Sequence, residues 1–148
     1  MKVVDRRALL GAGSTMLAFA AFANKTALAA GTPGLTTHVL DTANGKPGEG
    51  VKIDFSVLDG SAYKLVKTVH TNADGRNAEP LLTPENMKAG KYELVFHIGE
   101  YFTKLGTVLP NPPFLEKAII QFGMADATAH YHVPILVSPW SYTTYRGS

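Results

Sequence analysis

The chain contains no cysteine. Disulfide bridges, Cys-ligated zinc, iron–sulfur clusters and thiol nucleophiles are therefore all excluded. It also lacks the G-x-S-x-G turn that presents a nucleophilic serine, and the G-x-x-x-x-G-K-[ST] loop that cradles phosphates. Excess charge of one sign is scarce too. Fourteen Lys and Arg face twelve Asp and Glu, a formal net of +2. Four of those bases (Lys2, Arg6, Arg7, Lys25) and one acid (Asp5) fall in the first thirty residues, leaving ten bases and eleven acids for the rest. A near-neutral chain with no basic cluster has little with which to hold nucleic-acid phosphates.

What is present is 148 residues, 45% of them hydrophobic. That is enough for one domain to bury a core without staples, and too apolar for a disordered chain. Residues 1–30 have the three parts of a cleaved export signal. A basic start carries Arg6-Arg7, an apolar stretch runs from Ala8 to Ala23, and Ala27-Leu28-Ala29 forms an A-x-A cleavage site. Arg6-Arg7-Ala8-Leu9-Leu10 resembles a twin-arginine signal, which implies export to the periplasm. The apolar stretch, roughly 16 residues, is short of the ~20 a membrane span needs. Nothing after it resembles a span, so residues 31–148 are expected to form a domain free of the membrane.

From Leu35 onward the hydrophobic period is mostly two, the strand signal. Val51, Ile53, Phe55 and Val57 alternate with Lys52, Asp54 and Ser56, and Tyr92, Leu94, Phe96 and Ile98 with Glu93, Val95 and His97. Tyr63, Leu65, Lys67 and Val69 are expected on one face of a further strand. Other runs are Leu35–Asp41, Leu115–Phe122, Ala129–Val137 and Trp140–Arg146, with turns at Asn44-Gly45-Lys46-Pro47, Asp59-Gly60, Asp74-Gly75, Lys88-Ala89-Gly90 and Ser138-Pro139. About seven short strands so spaced predict an all-β sandwich. In Gly99–Gly106 the apolar Tyr101, Phe102 and Leu105 fall at helical spacing before a glycine, which predicts one short helix.

The polar residues that could carry chemistry are five histidines (38, 70, 97, 130 and 132), Arg76 and the C-terminus. His130 and His132, two apart in a strand, share a face. Such a pair can ligate a metal. Without a carboxylate close by, the preferred reading is one functional histidine beside one exposed histidine. His38 shares a face with Thr36 and Leu40 and by itself reads more readily as a hydrogen-bonded structural residue than as a catalyst. Arg76, after Asp74-Gly75, could equally be a solvated turn cation. His70 and His97 read as ordinary strand-end residues.

Taken together these fragments resemble one family. Leu35-Thr36-Thr37-His38-Val39-Leu40-Asp41-Thr42, Gly45-Lys46-Pro47, Asp74-Gly75-Arg76, Tyr131-His132-Val133-Pro134, Ser138-Pro139 and Tyr145-Arg146-Gly147-Ser148 are similar to the signature blocks of the 5-hydroxyisourate hydrolases, transthyretin-related enzymes of urate breakdown. The likeness covers about residues 34–148, and no block departs from the pattern. The terminal tetrapeptide is the most specific, since transthyretin hormone carriers share the sandwich and lack it. The resemblance implies a transthyretin-like sandwich of two four-stranded sheets with one short helix. It further implies a homotetramer, a dimer of dimers, with active sites at the dimer–dimer interface.

Carried over residue by residue, the resemblance makes His38, Arg76 and His132 catalytic. Substrate binding falls to His38, Arg76, Tyr145, Arg146, Gly147 and Ser148. Water is the co-substrate, and neither metal nor organic cofactor is implied. A positioned base raises the rate of water attack by roughly 10²–10⁴-fold. The task falls to the His38/His132 pair, with His132 preferred as base and His38 orienting water or substrate. Two rivals remain: a transthyretin-like carrier of a small aromatic ligand, and an exported sandwich holding metal through His130 and His132.

Overall fold

Strand alternation and glycine turns close into two stacked sheets. The structure is a computed structural model, and it describes residues 31–147. The leader (1–30) and Ser148 lie outside the described residues. In chain order the elements are β1 (Gly34–Asp41), β2 (Lys46–Pro47), β3 (Lys52–Asp59), β4 (Ala62–His70), a 3₁₀ turn (Pro84–Asn86), β5 (Gly90–Phe96), α1 (Ile98–Lys104), β6 (Ala118–Met124), β7 (His130–Val137) and β8 (Tyr142–Thr144). One sheet has the order β2-β1-β7-β8 and the other β4-β3-β5-β6. The two four-stranded sheets and the single α-helix are those expected. None of the described helices is long and apolar enough to cross a membrane.

The core lies between the sheets. Leu35 and Val39 of β1, Ile53 and Phe55 of β3, Leu94 and Phe96 of β5 and Ile135 and Val137 of β7 are all fully buried in it. Burying side chains of this size contributes about 1.5–3 kcal/mol each. Pairing is antiparallel everywhere except between β1 and β7, which run parallel. These strands are adjacent in space although they come from opposite ends of the domain. Only a long connection, here most of the chain, allows a parallel neighbour.

Several boundaries differ from expectation for local reasons. Ile98 does not continue β5. It opens α1, and the helix ends as its glycine predicts. Gly106, at φ +78°, follows the terminal Leu105. Gly106 N–H donates to Thr103 O (3.0 Å) and Thr107 N–H to Phe102 O (3.1 Å), satisfying carbonyls that the helix leaves open. Tyr101 and Phe102 are buried, whereas Leu105 is 43% exposed. Strand β6 begins at Ala118 rather than Leu115. The Lys46-Pro47 turn is itself a two-residue strand, pairing Leu40 with Pro47 and Asp41 with Lys46.

Along β4 a register shift between Phe55 and Ser56 breaks the alternation. Phe55 pairs with Lys67 and Ser56 with Leu65, so Val66 is left without an opposite residue. Leu65 is 62% exposed rather than sharing the inner face. A bulge of this kind turns later side chains to the other face.

The end of β1 is fastened by a buried carboxylate. Asp41 accepts hydrogen bonds from Asn44 N–H (3.0 Å), Asn44 Nδ2 (2.7 Å) and the Tyr101 hydroxyl (2.9 Å), which ties α1 to the first sheet. Burial and the adjacent carboxylate push the Tyr101 hydroxyl well above the usual phenol pKa, so it stays a donor. Tyr101→Phe leaves this carboxylate one donor short. Hydrogen bonds to charged groups are worth about 1.5–3 kcal/mol, so a loss of that size is expected in denaturant unfolding. An unchanged midpoint would mean that Asn44 alone satisfies Asp41.

Candidate functional site

Burial alternates along β1 and β7 in the same sense. Leu35, Thr37, Val39 and Asp41 face the core, as do Tyr131, Val133, Ile135 and Val137, while Thr36, His38, His130 and His132 lie half-buried on the outer face. The inward polar residue Thr37 is satisfied by donating to Val133 O at 2.7 Å. The parallel register sets Thr36 opposite His132 and His38 opposite Pro134. The two imidazoles thus become diagonal neighbours, with ring centroids 6.5 Å apart and planes tilted by 42°.

Two glycines let backbone approach these rings. Gly75 sits at φ +72°, and its carbonyl accepts the Val39 N–H at 2.8 Å. A Cβ there would stand 2.3 Å from Val39 O and 3.2 Å from His38 Cδ2. The turn before it is closed by Gly75 N–H donating to Asn72 O (2.9 Å), while Asn72 Oδ1 accepts the N–H groups of Asp74 (3.0 Å) and Arg76 (3.1 Å). This Asx arrangement fixes the main chain at Arg76, whose charge is near enough to act on both histidines. At the other ring, Gly147 N–H donates to His132 O (2.8 Å), extending the edge beyond β8. A Cβ on Gly147 would lie 2.8 Å from His132 Cδ2, closer than real Cβ contacts come. Each imidazole is therefore flanked by a backbone that only glycine can bring so near.

The electrostatics agree with the geometry. Burial, then the Arg76 cation, hold the His38 pKa below the ordinary 6.5, against an opposing pull from the Asp74 backbone and carboxylate. Burial, then Arg76, then His38 and His130 lower the His132 pKa from the same value. Both rings are set to be neutral near pH 7, the form that can accept a proton. Arg76 itself is exposed and makes no ion pair among the described residues. It is a free cation beside two neutral bases.

Of the residues proposed from the sequence, His38, Arg76, His132 and Gly147 come together. Tyr145 is 59% exposed at the same edge. Arg146 goes elsewhere: its guanidinium stacks 4.7 Å above the ring of Tyr131, which belongs to the inner face of β7. In this chain its charge serves a cation–π contact rather than the histidine pair.

Two histidines read as ordinary are not. His130 is half-buried and hydrogen-bonded, with Nδ1 3.2 Å from Thr32 O and Nε2 3.4 Å from Thr36 Oγ1. His97, between β5 and α1, pairs with Asp54 of β3 at 2.7 Å. Burial pulls the Asp54 pKa upward, but the Thr68 hydroxyl and His97 outweigh it and hold it below the usual value. No cluster of three metal-ligating side chains occurs among the described residues. Thr36, whose Oγ1 lies 2.8 Å from His132 Nδ1, was not singled out by sequence reasoning. Its place two residues before His38, on the same face, is the only signal the sequence offered.

Residues 35–147 match the HIUase/Transthyretin family. A 5-hydroxyisourate hydrolase 2 of Rhizobium meliloti is 57% identical over 114 residues, covering 77% of this chain and 95% of that protein. The solved 5-hydroxyisourate hydrolase of Klebsiella pneumoniae superposes with a TM-score of 0.63 at 34% identity, covering 77% of this chain and 98% of that one. A sea bream transthyretin solved with thyroxine superposes at 0.68 with 30% identity, covering 76% and 93%.

In an NMR titration, His38 and His132 should both titrate below 6.5. Substituting Arg76→Gln removes a cation that disfavours protonation, so both values should rise. Ordinary titration of both rings, indifferent to that change, would show that Arg76 is not electrically part of the site.

Proposed function

The chain belongs to the HIUase/Transthyretin family, and we propose that its outer-face histidine pair performs the hydrolysis by which the enzyme members are named. The protein is a 5-hydroxyisourate hydrolase of urate catabolism. Water adds across an amide-type bond of the six-membered ring of 5-hydroxyisourate, giving 2-oxo-4-hydroxy-4-carboxy-5-ureidoimidazoline. The observation that carries this reading is the convergence of His38, His132, Arg76 and the Gly147 backbone, in a chain more than half identical to a named hydrolase. A hormone carrier would need no pair of pKa-depressed imidazoles beside a free guanidinium.

In the mechanism we propose, neutral His132 takes the proton from water as it attacks the ring carbonyl, and passes it to the ring nitrogen as the C–N bond breaks. His38, diagonal to it, orients water and substrate. The guanidinium of Arg76 stabilises the negative charge that develops on the attacked oxygen. Tyr145 packs along the flat ring, and the backbone at Gly147 borders it. Water is the only co-reactant, so the chemistry calls for no metal or organic cofactor.

The site lies on the outside of a sheet, and one chain leaves that face open. A homotetramer, a dimer of dimers, would supply the opposing wall. Supporting this are the edge strands β6 and β8, where Ile119 and Tyr142 are 49% and 41% exposed. Unpaired edges with apolar side chains favour a second chain. The Arg6-Arg7 leader supports export to the periplasm by the twin-arginine route.

The test is the decay of freshly generated 5-hydroxyisourate, followed by its ultraviolet absorbance. Protein lacking residues 1–30 should accelerate it, and His132→Ala or Arg76→Ala should each lose about 10²-fold or more, the lower range for a positioned base and for an oxyanion-stabilising donor respectively. Dilution below the point of tetramer dissociation should abolish turnover while the subunits stay folded. Wild-type rates in either variant would remove that residue from the mechanism, and full activity in an isolated subunit would remove the interface.

A further inference from the structure

His130 and Thr36 have no part in the mechanism above, yet Thr36 touches its base and His130 touches Thr36. Donor and acceptor bookkeeping determines how. The Thr32 carbonyl can only accept, so His130 Nδ1, 3.2 Å away, carries a hydrogen. In a neutral imidazole the other nitrogen then holds a lone pair. That atom, His130 Nε2, faces Thr36 Oγ1 at 3.4 Å. The only hydrogen available between them is the hydroxyl's, so Thr36 donates to His130.

The hydroxyl has one hydrogen and has now used it. Towards His132 Nδ1, 2.8 Å away, Thr36 Oγ1 can only accept, so Nδ1 is the protonated nitrogen of His132. Reversing the hydroxyl would set its bare oxygen against the His130 lone pair. The chain of bonds therefore has one direction while His130 is neutral. It starts from a main-chain carbonyl that cannot change role.

Resting on the assignment of His132 as the base, we propose that Thr36 and His130 are positioning residues that hold His132 in its Nδ1–H tautomer, with Nε2 bare to receive the proton of the attacking water. The logic is that of other catalytic histidines, in which a hydrogen bond at one ring nitrogen determines the chemistry of the other. The partner here is an uncharged hydroxyl whose own orientation is set by a second imidazole. The pair His130/His132, which in sequence suggests metal ligation, works instead as a relay of hydrogen-bond direction. A hydroxyl rather than a carboxylate also leaves the base without a counter-ion, in keeping with its lowered pKa.

The tautomer can be read without turnover, from ring nitrogen shifts and nitrogen–proton couplings of ¹⁵N-labelled protein at about pH 8, above the ordinary imidazole pKa. The wild type should show His132 protonated at Nδ1. Thr36→Val removes the acceptor and His130→Phe frees the hydroxyl to turn round, and both should raise the Nε2–H population. Thr36→Ser should keep the wild-type pattern. In kinetics, Thr36→Val and His130→Phe should lower kcat about tenfold with KM nearly unchanged, well short of the ~10⁴-fold seen when a catalytic imidazole is forced into the wrong tautomer. Thr36→Ser should restore kcat.

A wild-type His132 protonated at Nε2, or a tautomer that ignores Thr36→Val, overturns the proposal. If the tautomer responds as described but His132→Ala stays active, the relay stands and the choice of base falls.

Discussion

Parallel pairing of β1 with β7 is the constraint on which the site depends. It joins strands from the two ends of the domain and sets Thr36 beside His132 and His38 beside Pro134. Because side chains alternate with period two, a slip of one residue would send His132 into the core and Tyr131 into solvent. The register is strongly held. Leu35, Val39, Ile135 and Val137 are fully buried on the inner face, and Thr37 donates to Val133 O across the pair. The packing that stabilises the sandwich is thus the same packing that brings two imidazoles within one substrate width.

Around that pair the chain places what side chains would obstruct. The backbone passes His38 at Gly75 and His132 at Gly147, and at both positions a Cβ would collide. These approaches limit how the rings can turn, and they bring the Asp74-Gly75-Arg76 turn and the tail to the same face. A free guanidinium next to neutral bases is electrostatically unfavourable for protonating those bases. In the proposed hydrolysis it would favour an oxyanion forming beside them.

Much of this was legible in the sequence because it depends on local rules. Period-two alternation gave the strands, Gly106 gave the helix end, and the signature blocks pointed to His38, Arg76, His132 and Gly147. What was not legible depends on contacts between distant segments. The bulge opposite Phe55 exposes Leu65 through pairing that no single strand reveals. Arg146 stands next to Gly147 in sequence, but alternation along the edge turns it to Tyr131 instead of to the histidines. His130 was read as bland because Thr32 and Thr36, its two partners, lie more than ninety residues away. His97 likewise gained its role only once β3 brought Asp54 beside it.

The central claim is that oxidised purine is bound and opened on the outer face of the β1–β7 pair. Its most direct test is a titration of protein lacking residues 1–30 with a non-hydrolysable purine trione analogue, following the imidazole proton resonances. His38 and His132 should shift together and saturably, while His70 at the end of β4 and His97 at the start of α1 stay fixed. Shifts confined to His70 or His97, or none at saturating ligand, would contradict the account.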